Sequence, residues 1–294
     1  MTRSWRNMTS GLEDCTSLQT SPQNCRTYEH RRAIVKSFCD QKNLTKSFFV
    51  LNKTVAAQLY VEHKYKFIYC EVPKVGCSNW KRIILLLNES LGFTIDSLRH
   101  YNIHSTHLLI KLSSYPLSIQ KQLLENYTKV MITRDPLERV VSAYRDKFIR
   151  DKGIYYSKTI ANAIKKELRN NSNTTENITF EEFARYIVLH NPQYTDTHWK
   201  PMYNLCDPCQ IQYDIIGKLK TIKQDADFIL KVIGAPKKLR YPEIKYSGDP
   251  RTNDQIRRQY LETLPPSLFR QLQNFYSVDF DMFDYKYYKE TNVK

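Results

Sequence analysis

The same local architecture occurs twice in this chain, and that repetition narrows the possible folds more than any other feature. Residues 66–88, KFIYCEVPKVGCSNWKRIILLLN, read as a short apolar strand at 66–72, a tight loop at 73–79 and a helix opening at Trp80. A helix N-terminus leaves backbone N–H groups unpaired and carries the positive end of the helix dipole, so this order of elements suits an anion. Lys74 adds a mobile charge, Gly76 permits close backbone approach, and Cys77, Ser78 and Asn79 bring small polar side chains. Taken alone, the stretch is read equally well as an ordinary strand-to-helix turn with a surface lysine.

Residues 129–148, KVMITRDPLERVVSAYRDKF, repeat the pattern. A strand at 129–133 precedes a helix with strong start signals: Asp135 at the N-cap, Pro136 at N1 and Glu138 at N3, the spacing of a capping box. Glu138, Ser142 and Arg145 fall at i, i+4 and i+7 and share a face. Arg134 at the strand end and Ser142 on that face can reach one anion, as charged and hydroxyl donors. The competing reading is a capped surface helix with Glu138 paired to Arg145. Two anion-suited turns in one chain weigh against it. Strands alternating with helices predict an α/β fold: a central parallel sheet flanked by helices, with ligands at the carboxyl ends of the strands.

Neither GxxxxGK[ST] nor GxGxxG is present, so the loop is not a Walker A or dinucleotide motif. VPKVGCSNWKR instead resembles the 5′-phosphosulfate loop of the Golgi carbohydrate sulfotransferases, and TRDPLERVVSAYRDKF resembles their 3′-phosphate element. The likeness continues through His198-Trp199, the run 205–209 (LCDPC), Tyr213-Asp214, Gly217-Lys218 and the closing 279–285 (DFDMFDY). The N-acetylgalactosamine 4-O-sulfotransferases are the branch it is most similar to. The resemblance implies the sulfotransferase variant of the P-loop nucleotide-kinase fold. It also implies 3′-phosphoadenosine 5′-phosphosulfate as donor, a glycan acceptor containing N-acetylgalactosamine, reaction at O4, and no metal. It places the phosphosulfate on Pro73, Lys74, Val75, Gly76, Cys77, Ser78, Asn79 and Trp80, with Lys74 catalytic. It places the 3′-phosphate on Arg134, Arg139 and Ser142, and makes Arg251, in the basic loop 246–258, a further nucleotide contact.

Sulfuryl transfer to a hydroxyl needs a proton acceptor, and histidine is the side chain best tuned near neutrality. His100, His104 and His107 lie between the two units. By itself each reads as a solvated loop histidine. The family pattern of a histidine with leucines at +5 and +8 fits His104, with Leu109 and Leu112, and implies that it is the general base. One departure is Lys220, where the family carries an acidic residue two positions after Gly-Lys.

A formal net charge of +15, from 45 Lys and Arg against 30 Asp and Glu, favours polyanionic partners. No RNA-recognition, helix-turn-helix or zinc-finger signature accompanies it, so nucleic acid is not expected. The rivals are a non-catalytic basic module for glycosaminoglycans and an ATP-using kinase. No apolar run approaches the roughly 20 residues of a membrane span and no signal-peptide core follows Met1. The resemblance nonetheless implies a Golgi type II membrane protein, so the chain is expected to be a lumenal portion, an isoform or the product of an incomplete gene sequence.

Eight N-x-[ST] sequons, at Asn7, Asn43, Asn52, Asn88, Asn126, Asn170, Asn173 and Asn177, agree with a lumenal setting. Seven cysteines do too. Cys15, Cys25 and Cys39 suit disulfides, the odd count leaves a thiol at Cys70 or Cys77, and Cys206 and Cys209 pair with each other or with distant cysteines. A zinc site at 206–209 lacks a second cysteine pair. Residues 1–45 read as a polar, stem-like segment in which 31–40 can carry a helix, and 46–294 as the catalytic domain. A solvated helix is expected at 161–169, a core-packing helix at 180–189, and further helices at 118–125, 225–233 and 267–276. The patch 48–51 is expected to pack on the domain.

Overall fold

The computed structural model describes residues 22–45, 51–150, 155–169, 176–245, 248 and 250–289. Cys15, residues 48–50 of the apolar patch, and the sequons at Asn7, Asn170 and Asn173 lie outside the described residues. In chain order the main elements are α1 (Pro22–Gln41), β1 (Leu59–Glu62), β2 (Phe67–Cys70), α2 (Cys77–Leu87), α3 (Leu117–Asn126), β3 (Thr128–Thr133) and α4 (Pro136–Tyr144). They continue with α5 (Ala161–Arg169), α6 (Phe180–Leu189), β4 (Ile215–Lys218), α7 (Ile222–Val232), α8 (Asp254–Leu261) and α9 (Pro266–Phe275). Two compact units result, Met1–Thr133 with Leu205–Ser247 and Met282–Asp284, and Arg134–Asn204 with Gly248–Asp281 and Tyr285–Lys294.

The first unit holds the sheet, in the order β1-β2-β3-β4. β2, β3 and β4 run parallel, with Cys70 beside Met131 and Met131 beside Ile216. Their carboxyl ends therefore share one edge of the sheet. The central sheet is parallel as expected, with β1 added as an antiparallel edge strand, Tyr60 opposite Tyr69. A short turn joins β1 to β2, and only antiparallel strands can be joined that way. Strands β1 and β2 are buried at every position, which is why β2, FIYC, reads as a continuous apolar run rather than an alternating one.

α1 lies within the stretch that reads as stem-like, and it packs on β4. Its anchor is Asp225 of α7, which is 2% exposed. Tyr28 Oη donates to Asp225 Oδ1 at 2.8 Å and Arg31 Nη1 to Oδ2 at 3.0 Å, while the backbone N–H of Lys218 reaches Oδ2 at 2.6 Å. A buried carboxylate supplied with this many donors is a strong local tie. Two disulfides add covalent ones, Cys39 to Cys209 and Cys70 to Cys206. Cys206 and Cys209 thus take distant partners. Cys70, one of the two candidates for the free thiol, is bonded; among the described residues Cys77 is the free cysteine, and it is buried.

In the second unit α4 begins as its letters predict: the Asp135 side chain accepts the N–H of Glu138 at 2.9 Å, with Pro136 in the first turn. The reciprocal half of the box is replaced, because the Glu138 carboxylate turns to Arg134. α6 has the complete capping box, Thr179 with Glu182. Its Phe183 and Ile187 join Val140, Tyr144, Trp199, Leu272 and Phe280 in one apolar core. α5 occupies the expected residues but is less solvated than its charge suggests. Ile164 is fully buried and Lys165 nearly so, since the helix packs against α6. Asp279 sits at the bottom of this core, accepting the backbone N–H groups of Met202 and Tyr203 at 2.7 and 2.9 Å. Burial pushes its carboxyl up to about 6.

Candidate functional site

The loop after β2 carries two left-handed residues, Lys74 at φ 74° and Gly76 at φ 89°. For lysine that conformation is strained by about 1–2 kcal/mol, and such strain collects at ligand-holding turns. Gly76 is the N-cap of α2, with no side chain capping the helix, and it brings Cys77, Ser78 and Asn79 into the first turn. The helix therefore opens three residues before the expected Trp80, and the loop proper is 71–76.

Within this stretch the side chains divide sharply. Lys74 and Ser78 are half-buried, whereas Pro73, Val75, Cys77, Asn79 and Trp80 are buried. Trp80 stacks on Tyr69 with centroids 5.5 Å apart, so it is a wall behind the loop. Asn79 is turned inward, accepting from Arg82 Nη1 at 2.8 Å. Burial pushes the Cys77 thiol up, which disfavours a reactive thiolate. What the loop can offer an anion is its backbone, Lys74 and the Ser78 hydroxyl. Gly76 is also pinned from behind: Tyr241 Oη donates to its carbonyl at 3.1 Å.

His104 comes to this loop from a segment without regular structure. Its Nε2 lies 2.9 Å from Ser78 Oγ, and its Nδ1 receives Lys81 Nζ at 3.3 Å. Lys81 is 3% exposed and forms an ion pair with Glu71 Oε1 at 2.5 Å. Glu71 Oε2 in turn accepts from Tyr60 Oη at 3.0 Å. His100 and His107 are exposed and no bond to this network is seen from either. Of the three histidines between the two anion-suited stretches, His104 alone meets the first of them.

The second group lies in the other unit. Arg134 is 5% exposed and reaches Glu138 Oε1 at 2.6 Å and the Thr252 carbonyl at 2.9 Å through Nη2. Arg145 Nη1 donates to Thr252 Oγ1 at 2.8 Å. These two arginines, Arg134 just before α4 and Arg145 at its C-cap, hold the 250–252 segment; Ser142, between Glu138 and Arg145 on the shared face, is half-buried, and Arg251 is exposed. Arg134 and Arg145 thus both meet Thr252, the chain neighbour of Arg251. Glu138 takes Arg134, while Arg145, its partner on a plain surface helix, reaches Pro250 and Thr252. Arg139 is set apart: 1% exposed, it donates to the carbonyls of Lys200 at 2.7 Å and Thr197 at 2.9 Å, which makes it a tie within the core.

Glu71, Lys81 and Tyr241 are residues that sequence reasoning missed, and Arg145 was read only as a partner for Glu138 on the helix face. Lys81 and His104 stand 23 positions apart with no shared periodicity, so only folding shows the contact. Among the described residues no group of three or more His, Cys, Asp or Glu is arranged to hold a metal ion, and no helix is long and apolar enough to cross a membrane.

A family model described as "Sulfotransferase family" matches residues 57–286. Human carbohydrate sulfotransferase 9 is 39% identical over 267 residues, covering 88% of this chain and 60% of the relative. Mouse carbohydrate sulfotransferase 8 is 34% identical over 270 residues, covering 88% and 64%. Carbohydrate sulfotransferase 14 of Danio rerio is 36% identical over 266 residues, covering 87% and 71%. The chain therefore spans 60–64% of the length of the first two of these relatives. No solved structure gives a significant match.

Proposed function

The chain belongs to the sulfotransferase family, and we propose on that basis that it transfers a sulfuryl group from 3′-phosphoadenosine 5′-phosphosulfate to a hydroxyl of a sugar. The observation that carries this reading is the turn after β2. It leaves a parallel strand at its carboxyl end, opens a helix through a left-handed glycine, and has an imidazole within hydrogen-bond distance of its serine. Open α/β sheets bind phosphorylated ligands at that edge.

The 5′-phosphosulfate lies on the loop backbone and the Ser78 hydroxyl. The 3′-phosphate takes Arg134 and Ser142, with Arg251 as a flanking contact. The acceptor oxygen forms its bond to sulfur as the bridging S–O bond breaks, and 3′-phosphoadenosine 5′-phosphate departs with the bonding pair. Lys74 stabilises charge growing on the bridging oxygen, and His104 takes the proton of the acceptor hydroxyl. Positioning and charge stabilisation supply most of the acceleration, as in phosphoryl transfer. The finer assignment, O4 of N-acetylgalactosamine in an N-glycan or in chondroitin or dermatan, is supported by the names of the relatives only as far as "carbohydrate". Two disulfides and five exposed sequon asparagines, Asn43, Asn52, Asn88, Asn126 and Asn177, support an oxidising, lumenal setting such as the Golgi.

Lys74→Ala is expected to lower transfer of labelled sulfate by at least about 10²-fold, the effect of removing one charge-stabilising donor. Turnover at the wild-type rate in that variant sinks the assignment. Running the assay over chondroitin, desulfated dermatan and glycans ending in N-acetylgalactosamine identifies the acceptor. Calorimetry with the phosphosulfate donor against ATP separates the reading from a kinase. Heparin binding without any transfer marks a non-catalytic module.

A further inference from the structure

His198-Trp199, a pair that the sequence singles out, lies in the turn 196–200 of the second unit, where the N–H groups of Trp199 and Lys200 both reach the Asp196 carbonyl. Arg139 of α4 pins that turn by donating to the carbonyls of Thr197 and Lys200. The His198 imidazole is held as firmly. Its Nδ1 stands 2.8 Å from Asp196 Oδ1, which also accepts the His198 backbone N–H at 2.8 Å. Tyr156 Oη lies 2.9 Å from the same nitrogen and donates to Asp196 Oδ2 at 3.2 Å. Burial pushes the Asp196 carboxyl up, but the His198 donors outweigh it and hold the group below the usual carboxylate range. Two acceptors do not meet at 2.8 Å, so Nδ1 carries the ring proton. In the neutral ring Nε2 then keeps a lone pair, and it has no partner among the described residues.

Lys200, on the same turn, is half-buried, and burial pushes its amine down by more than the charge of Asp196 restores. Among the described residues its ammonium forms neither an ion pair nor a hydrogen bond. Lys147, over the Tyr156 ring at 4.7 Å, is by contrast paired with Asp146. A partly desolvated ammonium without a counter-charge is stabilised by an arriving anion. Tyr155 leads to His198 through Tyr156. Its ring meets that of Tyr156 edge-on at 4.9 Å, and Tyr156 meets the imidazole edge-on at 5.5 Å. Tyr155 is 54% exposed and opens the π-helical turn Tyr155–Ile160, a kind of turn frequent at functional sites. Neither His198 Nε2 nor Lys200 Nζ is sealed from solvent.

We propose that Tyr155, His198 and Lys200 form a subsite for an acidic sugar of the acceptor glycan, a uronate. The Tyr155 ring stacks on the pyranose, His198 Nε2 accepts a sugar hydroxyl, and Lys200 pairs with the carboxylate. The inference rests on the transferase reading and narrows its acceptor to a uronate-bearing glycan rather than a neutral one ending in N-acetylgalactosamine. An aromatic face with a few fixed polar groups is the usual composition of a small-molecule site. Asp196 and Arg139 fix the imidazole and its turn before any ligand arrives, so little ordering remains to oppose binding. The net charge of +15 attracts any polyanion, whereas a placed ammonium tells a carboxylate from an alcohol in the same position.

The test compares a chondroitin oligosaccharide with the same oligosaccharide after its carboxylates are reduced to alcohols, in transfer assays and in saturation-transfer NMR. Wild-type protein is expected to show a KM about tenfold lower for the acidic form, the scale of one charge-assisted hydrogen bond. Lys200→Met is expected to bring that ratio close to one, and Lys200→Arg to keep it. Tyr155→Ala, at an exposed ring, and His198→Gln are expected to raise KM for both forms by about tenfold and to leave the ratio in place. A wild type that does not distinguish the two forms overturns the subsite without recourse to any variant. A tenfold ratio that persists in Lys200→Met overturns it too. Should the protein transfer sulfate to neither form, nor to any other glycan, while the acidic one still binds through Lys200, the transferase reading falls and the subsite stands.

Discussion

Gly76 shows how closely a single position is constrained. Its φ of 89° is a conformation in which a side chain costs about 1–2 kcal/mol. A Cβ added there stands 2.3 Å from Tyr241 Oη. That oxygen is the donor to the Gly76 carbonyl, so the hydroxyl cannot yield without breaking the bond that pins the loop. Gly92 offers an internal control, with a φ of 65° and nothing within 4 Å of an added Cβ. Gly76→Ala is expected to cost roughly 1–2 kcal/mol more than Gly92→Ala, the typical range for strain in a packed site. Paired urea titrations measure the difference, and equal losses in the two variants refute the account. Lys74, two residues earlier, adopts the same conformation without glycine's freedom. Its side chain is thereby aimed by backbone geometry, which neither charge nor motif spacing reveals.

At the scale of elements, α6 depends on a three-residue arrangement at its start. Thr179 Oγ1 accepts the N–H of Glu182, and the Glu182 carboxylate accepts from Thr179 N at 2.7 Å and from Arg169 Nη2 at 2.8 Å. The Arg169 guanidinium, followed by the Thr179 donors, draws the Glu182 carboxyl down to about 2 despite some burial. A folded-state value below the unfolded one contributes stability above about pH 4.5 that is lost as pH falls toward 2. Hydrogen exchange of α6 amides is therefore expected to quicken between pH 4.5 and 2 in the wild type and to show little of that dependence in Glu182→Gln. Thr179→Ala is expected to cost about 1 kcal/mol, as loss of an N-cap does. An identical pH response in wild type and Glu182→Gln counts against the pairing. The start of α4 differs in a telling way. Its cap survives through Asp135, yet Glu138 leaves the box for Arg134, because a buried guanidinium needs a partner more than an N-cap N–H does.

For the molecule as a whole, the Cys39–Cys209 and Cys70–Cys206 disulfides matter most in the first unit. They close sequence separations of 170 and 136 residues, joining α1 and β2 to the 206–209 turn ahead of β4. In the chain-entropy model each contributes up to about 5 kcal/mol, with less expected when both sit in one unit. Reduction is therefore expected to lower the thermal midpoint by well over ten degrees, while Cys77 stays unlabelled by a thiol reagent until the protein unfolds. A midpoint unmoved by reductant shows that the cross-links are incidental. Residues close in sequence were legible in advance: the two strand–turn–helix units, the cap at Asp135, the core face of α6, and a thiol left over from an odd cysteine count. Each depends on interactions reaching a few residues, which letters a few positions apart encode directly. Disulfide partners, the antiparallel β1, the turn of Arg134 toward Glu138 and Thr252, and the contact of Lys81 with His104 were settled only by tertiary structure. They join groups brought together by burial, and burial acts on the folded chain without regard to how far apart its residues stand in the sequence.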